Sequence, residues 1–131
     1  MAYLLSLIIL LGYASLAEAA ILISEVLADP PTGLAGDANQ DGVRDTYQDE
    51  FIELYNTDTT AVDLSGWRLG DSTSSATHFQ FPDDATIAPG SYVVLFGGGT
   101  PTGFTVPVYT DDGRIGNGLT NSGEDVRLVD D

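Results

Sequence analysis

The chain has 131 residues, with 20 acidic side chains against 4 basic ones, one histidine, no cysteine and a formal net charge of −16. That balance argues against a partner held through phosphates and against docking on an anionic membrane, since both need Lys/Arg. It also excludes disulfide staples, thiolate metal sites, cysteine nucleophiles and any site needing two imidazoles. What remains is carboxylate chemistry: hard-cation binding, or an acid/base carboxylate pair.

In chain order, the first segment carries no charged side chain from Met1 to Ala17, and Leu4–Leu11 is apolar apart from Ser6. Ala17-Glu18-Ala19 supplies small residues at the third-last and last positions of a secretory cleavage site. Residues 1–19 therefore read as a helical signal peptide, which leaves a domain over 20–131 and a secreted or cell-surface location. The amino-terminal part lacks Lys or Arg, and an uncleaved anchor is the alternative; about 17 apolar residues is the lower limit for a span. An exported domain without cysteine must stand on packing, with or without a metal.

Beyond residue 19 the pattern is β throughout. Ile21–Leu27 is a short strand-like run stopped by Asp29-Pro30-Pro31. Phe51–Tyr55 places Ile52 and Leu54 at period two. Val62–Leu64, Trp67–Leu69, His78–Phe81, the long apolar run Tyr92–Phe96, and Val126–Val129 follow. Ser65-Gly66, Gly70-Asp71-Ser72, Ala88-Pro89-Gly90 and Gly97-Gly98-Gly99 separate them as turn signals. No apolar pattern persists for three helical turns, so the expected fold is an all-β sandwich with Trp67 anchoring the packing between sheets. The final strand-like run should lie at a sheet edge or mark a truncated domain. Truncation is the expectation, with the chain one module of a larger exported protein.

The motif that carries chemistry is Asp37-Ala38-Asn39-Gln40-Asp41-Gly42-Val43-Arg44-Asp45. Oxygen ligands at the first, third and fifth positions converge on one cation when the backbone coils around it. Gly42 allows the sharp turn, the Val43 carbonyl points inward, and Asp45 binds directly or through water. The place of the closing glutamate of a helix–loop–helix calcium site holds Gln48 instead, leaving Asp49 or Glu50 to close the site. An oxygen-only loop in an exported protein points to Ca²⁺, at the modest affinity (about 10⁻⁴–10⁻³ M) of extracellular modules. The candidate ligands are Asp37, Asn39, Asp41, Val43, Asp45 and Asp49. The cation would be structural, tying down a 20-residue connection from Pro30 to Asp49. The competing reading is an Asx-rich loop whose side chains cap their own turns.

Other chemistry is poorly supported. His78 reads as a half-exposed strand residue, and Ser65, Ser91 and Ser122 sit in turns without a nucleophile elbow. Asp83-Asp84 and Asp111-Asp112 are sequence neighbours that strands would point to opposite faces. The triple glycine lacks the lysine of a phosphate loop. No catalytic residue is expected.

Several runs carry a resemblance. Ile23-Ser24-Glu25-Val26, Asp49-Glu50-Phe51-Ile52-Glu53-Leu54-Tyr55-Asn56 and Val62-Asp63-Leu64-Ser65-Gly66-Trp67-Arg68-Leu69 come first. Phe81-Pro82, Ile87-Ala88-Pro89-Gly90-Ser91-Tyr92-Val93-Val94 and Ser122-Gly123-Glu124-Asp125-Val126-Arg127-Leu128 follow in the same order. Together, over residues 21–131, these resemble the lamin-tail domain, the immunoglobulin-like module of nuclear lamins that also occurs in bacterial exported proteins. The resemblance implies Ile52, Leu54, Leu64, Trp67 and Leu69 as core positions and Gly66 and Gly90 as turns. It implies a non-catalytic interaction module, here of the bacterial exported type, whose acidic insertion at Asp37–Asp49 looks like a calcium loop absent from the nuclear lamins. Its expected partners are a protein or cell-surface ligand, or neighbouring domains of the same polypeptide, and neither nucleic acid nor membrane. The alternatives are a metal-dependent hydrolase using the Asp37–Asp49 cluster, or a passive spacer.

Overall fold

A computed structural model describes residues 20–71 and 79–130. The expected signal peptide and His78 lie outside them. Among the described residues nine strands follow in order: β1 (Ile21–Leu27), β2 (Phe51–Asn56), β3 (Val62–Asp63), β4 (Arg68–Asp71), β5 (Phe79–Gln80), β6 (Thr86–Ile87), β7 (Tyr92–Phe96), β8 (Val108–Thr110) and β9 (Val126–Val129). The one helical element among the described residues is a 3₁₀ turn, Leu34–Gly36.

The strands form a four-stranded sheet in the order β1-β2-β7-β8, a three-stranded sheet β5-β4-β9 and a short pair β3-β6. Every pairing is antiparallel except β7 with β8. The period-two reading of β2 holds: Ile52, Leu54 and Asn56 are fully buried, while Phe51, Glu53 and Tyr55 are half-buried on the other face. In register, Ile52 meets Leu95 and Leu54 meets Val93 across β7, which builds one wall of the core. Leu64, Leu69, Phe81, Ile87, Ile115 and Leu119 complete the core. Burial of this apolar set, at roughly 25 cal/mol per Å², is what a sandwich without disulfides stands on.

β7 is buried on both faces because the loop after it folds back. Phe104 of that loop meets the Phe96 ring at 5.3 Å, and Phe51 meets it edge-on at 5.6 Å. The turn positions are as expected. Trp67 N–H donates to the Leu64 carbonyl at 3.0 Å, and Ser91 N–H to the Ala88 carbonyl at 3.1 Å. Each four-residue turn has its glycine third, at φ 79° and 61°, as type II turns require.

Two expectations are corrected. Trp67 is only partly buried, because it ends the turn that enters β4, at the rim of the core rather than its centre. Contact between the sheets at the other end is made by Phe79, Phe81 and Tyr109, whose rings meet at 5.1–5.8 Å. The expected turn at Gly70-Asp71 is instead the end of β4, paired with Arg127 and Val126 of β9. Asp71 is fully buried there and accepts the Asn117 N–H at 3.1 Å. β9 lies at the outer edge of its sheet.

Candidate metal centre

The acidic motif occupies the connection from β1 to β2, and Arg44 anchors it. The guanidinium donates to the Pro31 carbonyl at 3.1 Å, to the Pro30 carbonyl and to Thr46 Oγ1 at 2.8 Å. This one cation within an acidic stretch ties the loop to the segment that enters it. The 3₁₀ turn then delivers Asp37.

From Asp37 the backbone coils as the motif requires. Asp37 Oδ1 and Asn39 Oδ1 both accept the Asp41 N–H, at 3.1 and 3.0 Å, so oxygens of the first and third positions converge on one point. Asp37 Oδ2 accepts the Gly42 N–H at 3.0 Å, and Asp41 Oδ1 accepts the Val43 N–H at 2.9 Å. Gly42 takes φ 93°, in the left-handed region open to a residue without Cβ.

Asp49 and Glu50 part ways. Asp49 is fully buried and closes the loop, its Oδ1 accepting the Asn39 N–H at 3.0 Å and its Oδ2 the Asp45 N–H at 2.7 Å. Glu50, equally buried, accepts instead the Leu119 N–H at 3.0 Å, from the carboxy-terminal loop. Burial pushes its carboxyl up to about 7, opposed by that hydrogen bond and reinforced by the charge of Glu124. Asp45 caps the turn that follows, accepting N–H groups of Tyr47 and Gln48 at 2.9 and 3.0 Å. The Gln48 N–H, then that of Tyr47, holds its carboxyl below the ordinary value. Val43 is exposed.

A partner for this loop lies in Gly97-Gly98-Gly99, which the sequence marks as a turn after a strand and a poor phosphate loop. Asn39 Nδ2 donates to the Gly98 carbonyl at 3.2 Å, and Gly98 N–H to the Gln48 carbonyl at 3.2 Å. Thr100 N–H reaches Asp41 Oδ2 at 3.2 Å, and Thr102 N–H the Asn39 carbonyl at 3.0 Å. Thr102 Oγ1 donates to the Gln40 carbonyl at 2.6 Å. A Cβ on Gly97 would overlap the Tyr47 carbonyl, and one on Gly99 the side chains of Asn39 and Asp41. The three glycines are thus the ledge on which the acidic coil rests. The signal for it was present, since consecutive glycines after a strand mark a close backbone approach.

Chemically, the loop gathers oxygen donors of the hard type: carboxylates, one amide oxygen and backbone carbonyls. Among the described residues, no three His, Cys, Asp or Glu side chains converge as a metal-holding group. The carboxylate oxygens are turned onto loop N–H groups. Each carboxylate retains lone pairs beyond the hydrogen bonds it accepts, and the amide and carbonyl oxygens are Ca²⁺ ligands in their own right, so the donor set suits a Ca²⁺ ion. Two hollows lie elsewhere. One is bounded by β1, Trp67 and the end of β9, and the other by Val26, Leu119, Glu124 and Val126.

No curated protein matches the chain significantly. The family model for the Lamin Tail Domain, an immunoglobulin-like domain, matches residues 14–131. With that match and this all-β architecture, the chain belongs to the lamin tail domain family.

Proposed function

We propose that the chain is a non-catalytic interaction and structural module, secreted or displayed at the cell surface, whose 37–49 loop takes up Ca²⁺. The observation that carries this reading is the coil itself: Asp37 and Asn39 oxygens meet at one N–H, and Asp49 closes the loop from inside. Asp37, Asn39, Asp41, Asp45 and Asp49, with the Val43 carbonyl, would hold the ion. Bound there, Ca²⁺ supplies the positive charge that lets so many carboxylates share one loop. The chain's own residues do the rest. Arg44 fixes the entry, and Thr100 and Thr102 clamp the coil to the glycine ledge.

The module's task is to bind a protein or cell-surface ligand, or to position neighbouring domains of the same polypeptide. A catalytic metal would need an open coordination position facing a substrate cleft; both hollows described are lined by residues outside the loop. Calorimetric titration with Ca²⁺ and, separately, Mg²⁺ tests the proposal. One site of about 10⁻⁴–10⁻³ M for Ca²⁺, weaker for Mg²⁺, is expected. No heat of binding for either ion would refute it.

A further inference from the structure

The hollow bordered by β1 and β9 is a groove of about 400 Å³, lined by Ala20–Ile23, Trp67, Leu128 and Asp130. It lies between two strand edges. Among the described residues, β1 is an outer strand of the four-stranded sheet and β9 an outer strand of the three-stranded one. An outer strand presents unpaired backbone N–H and C=O groups, and proteins commonly blunt such edges with Lys, Pro or irregularities. β1 carries neither Lys nor Pro, and its register is regular from Ile21 to Ile23, shifting only beyond that. The regular stretch is the part that lines the groove. Ile21 is buried in the core, but the next two side chains face water: Leu22 is 46% exposed and Ile23 37%.

Charge selects the occupant. Among the described residues Asp130 is the one ionisable side chain lining the groove, and beyond Ile23 Glu25 stands in register with Glu53, a like-charged cross-strand pair. Arg127, on β9, sits 3.8 Å from Asp125. A second copy of a chain at −16 is repelled from this face, whereas a cationic strand relieves it.

We infer that the groove between β1 and β9 takes an extended, cationic segment of a partner polypeptide, added to β1 as a further strand. Backbone hydrogen bonds to β1 hold the segment, alternate apolar side chains lie on Leu22 and Trp67, and its Lys or Arg side chains meet Asp130 in the groove and Glu25 beyond it. This deepens the interaction-module reading and rests on it. Calcium binding without groove binding would sink the groove alone.

Trp67 is the only tryptophan, so its fluorescence reports on the groove directly. The probe is an N-acetylated Lys-Val repeat peptide, with a Glu-Val repeat as its counterpart. The Lys peptide should shift Trp67 emission saturably to the blue and bind about tenfold more weakly to a Leu22→Lys variant. Its binding should also weaken with added NaCl. Asp130→Asn, which alters an exposed side chain, should weaken binding even if Leu22→Lys fails to fold. Absence of a saturable shift, an equal shift with the Glu peptide, or binding unchanged in both variants would overturn the proposal. So would self-association of the chain that the Lys peptide cannot displace.

Discussion

Glu50 is a buried carboxylate whose protonation changes on folding. Its carboxyl is pushed up to about 7 by burial, so the folded protein holds a proton there that the unfolded chain releases nearer 4.5. The native state binds more protons between those values, and stability from this group is therefore full below the lower one and lost as pH rises through the upper. A Glu50→Gln variant keeps an acceptor for the Leu119 N–H and removes the titration. It should match the parent at pH 4 and exceed it at pH 8, by up to about 3 kcal/mol. Urea melts across that range check this; parallel pH profiles for the two proteins would contradict it. None of this was legible in the sequence, where Asp49 and Glu50 were interchangeable. Only the fold shows that one faces the acidic coil and the other a loop 69 residues away. Asn56 is similar: it donates to the carbonyls of Thr60, Ile87 and Ala88, a role set entirely by contacts distant in sequence. Ile52 and Leu54 were readable because alternation is a local signal.

At the scale of elements, apolar runs bounded by turn signals announced themselves whatever their length. β1, β2, β3, β5, β7 and β9 stand where the sequence places them, whereas β6 and β8, two and three residues long, carry no such pattern. The parallel pairing of β8 with β7 is a tertiary outcome, made possible by the 97–107 loop crossing over Phe96. The ledge formed by Gly97-Gly98-Gly99 was half visible: the glycines declare a close approach but not its partner. Gly97→Ala should destabilise the domain by about 1–3 kcal/mol, because the new methyl group overlaps the Tyr47 carbonyl and the backbone must shift. A drop in denaturation midpoint under both calcium-free and calcium-loaded conditions is expected. Unchanged stability would mean that the two loops do not meet as described.

Over the whole molecule, fifteen aspartates, five glutamates and no lysine make a surface that repels itself. Salt should therefore stabilise the fold, with the melting temperature rising between about 10 mM and 1 M NaCl. A flat series would show that the charges are already compensated. On the proposed reading, a divalent cation in the acidic coil would neutralise locally what salt screens globally. The family and the sandwich were legible from the order and spacing of several short runs. The loop's dependence on a distant ledge was not, because the two meet only once the sheet has formed.

The measurement that tests the central claim most directly is a thermal melt in EGTA and then in millimolar Ca²⁺, run beside an Asp41→Ala variant. Asp41 accepts the Val43 N–H within the coil and the Thr100 N–H from beside the ledge, so it lies where an ion held by the loop would be coupled to the fold. The account predicts a Ca²⁺-dependent rise in melting temperature for the parent that the variant loses. An identical melt with and without Ca²⁺ in both proteins would reduce the loop to a self-capped turn and contradict the claim.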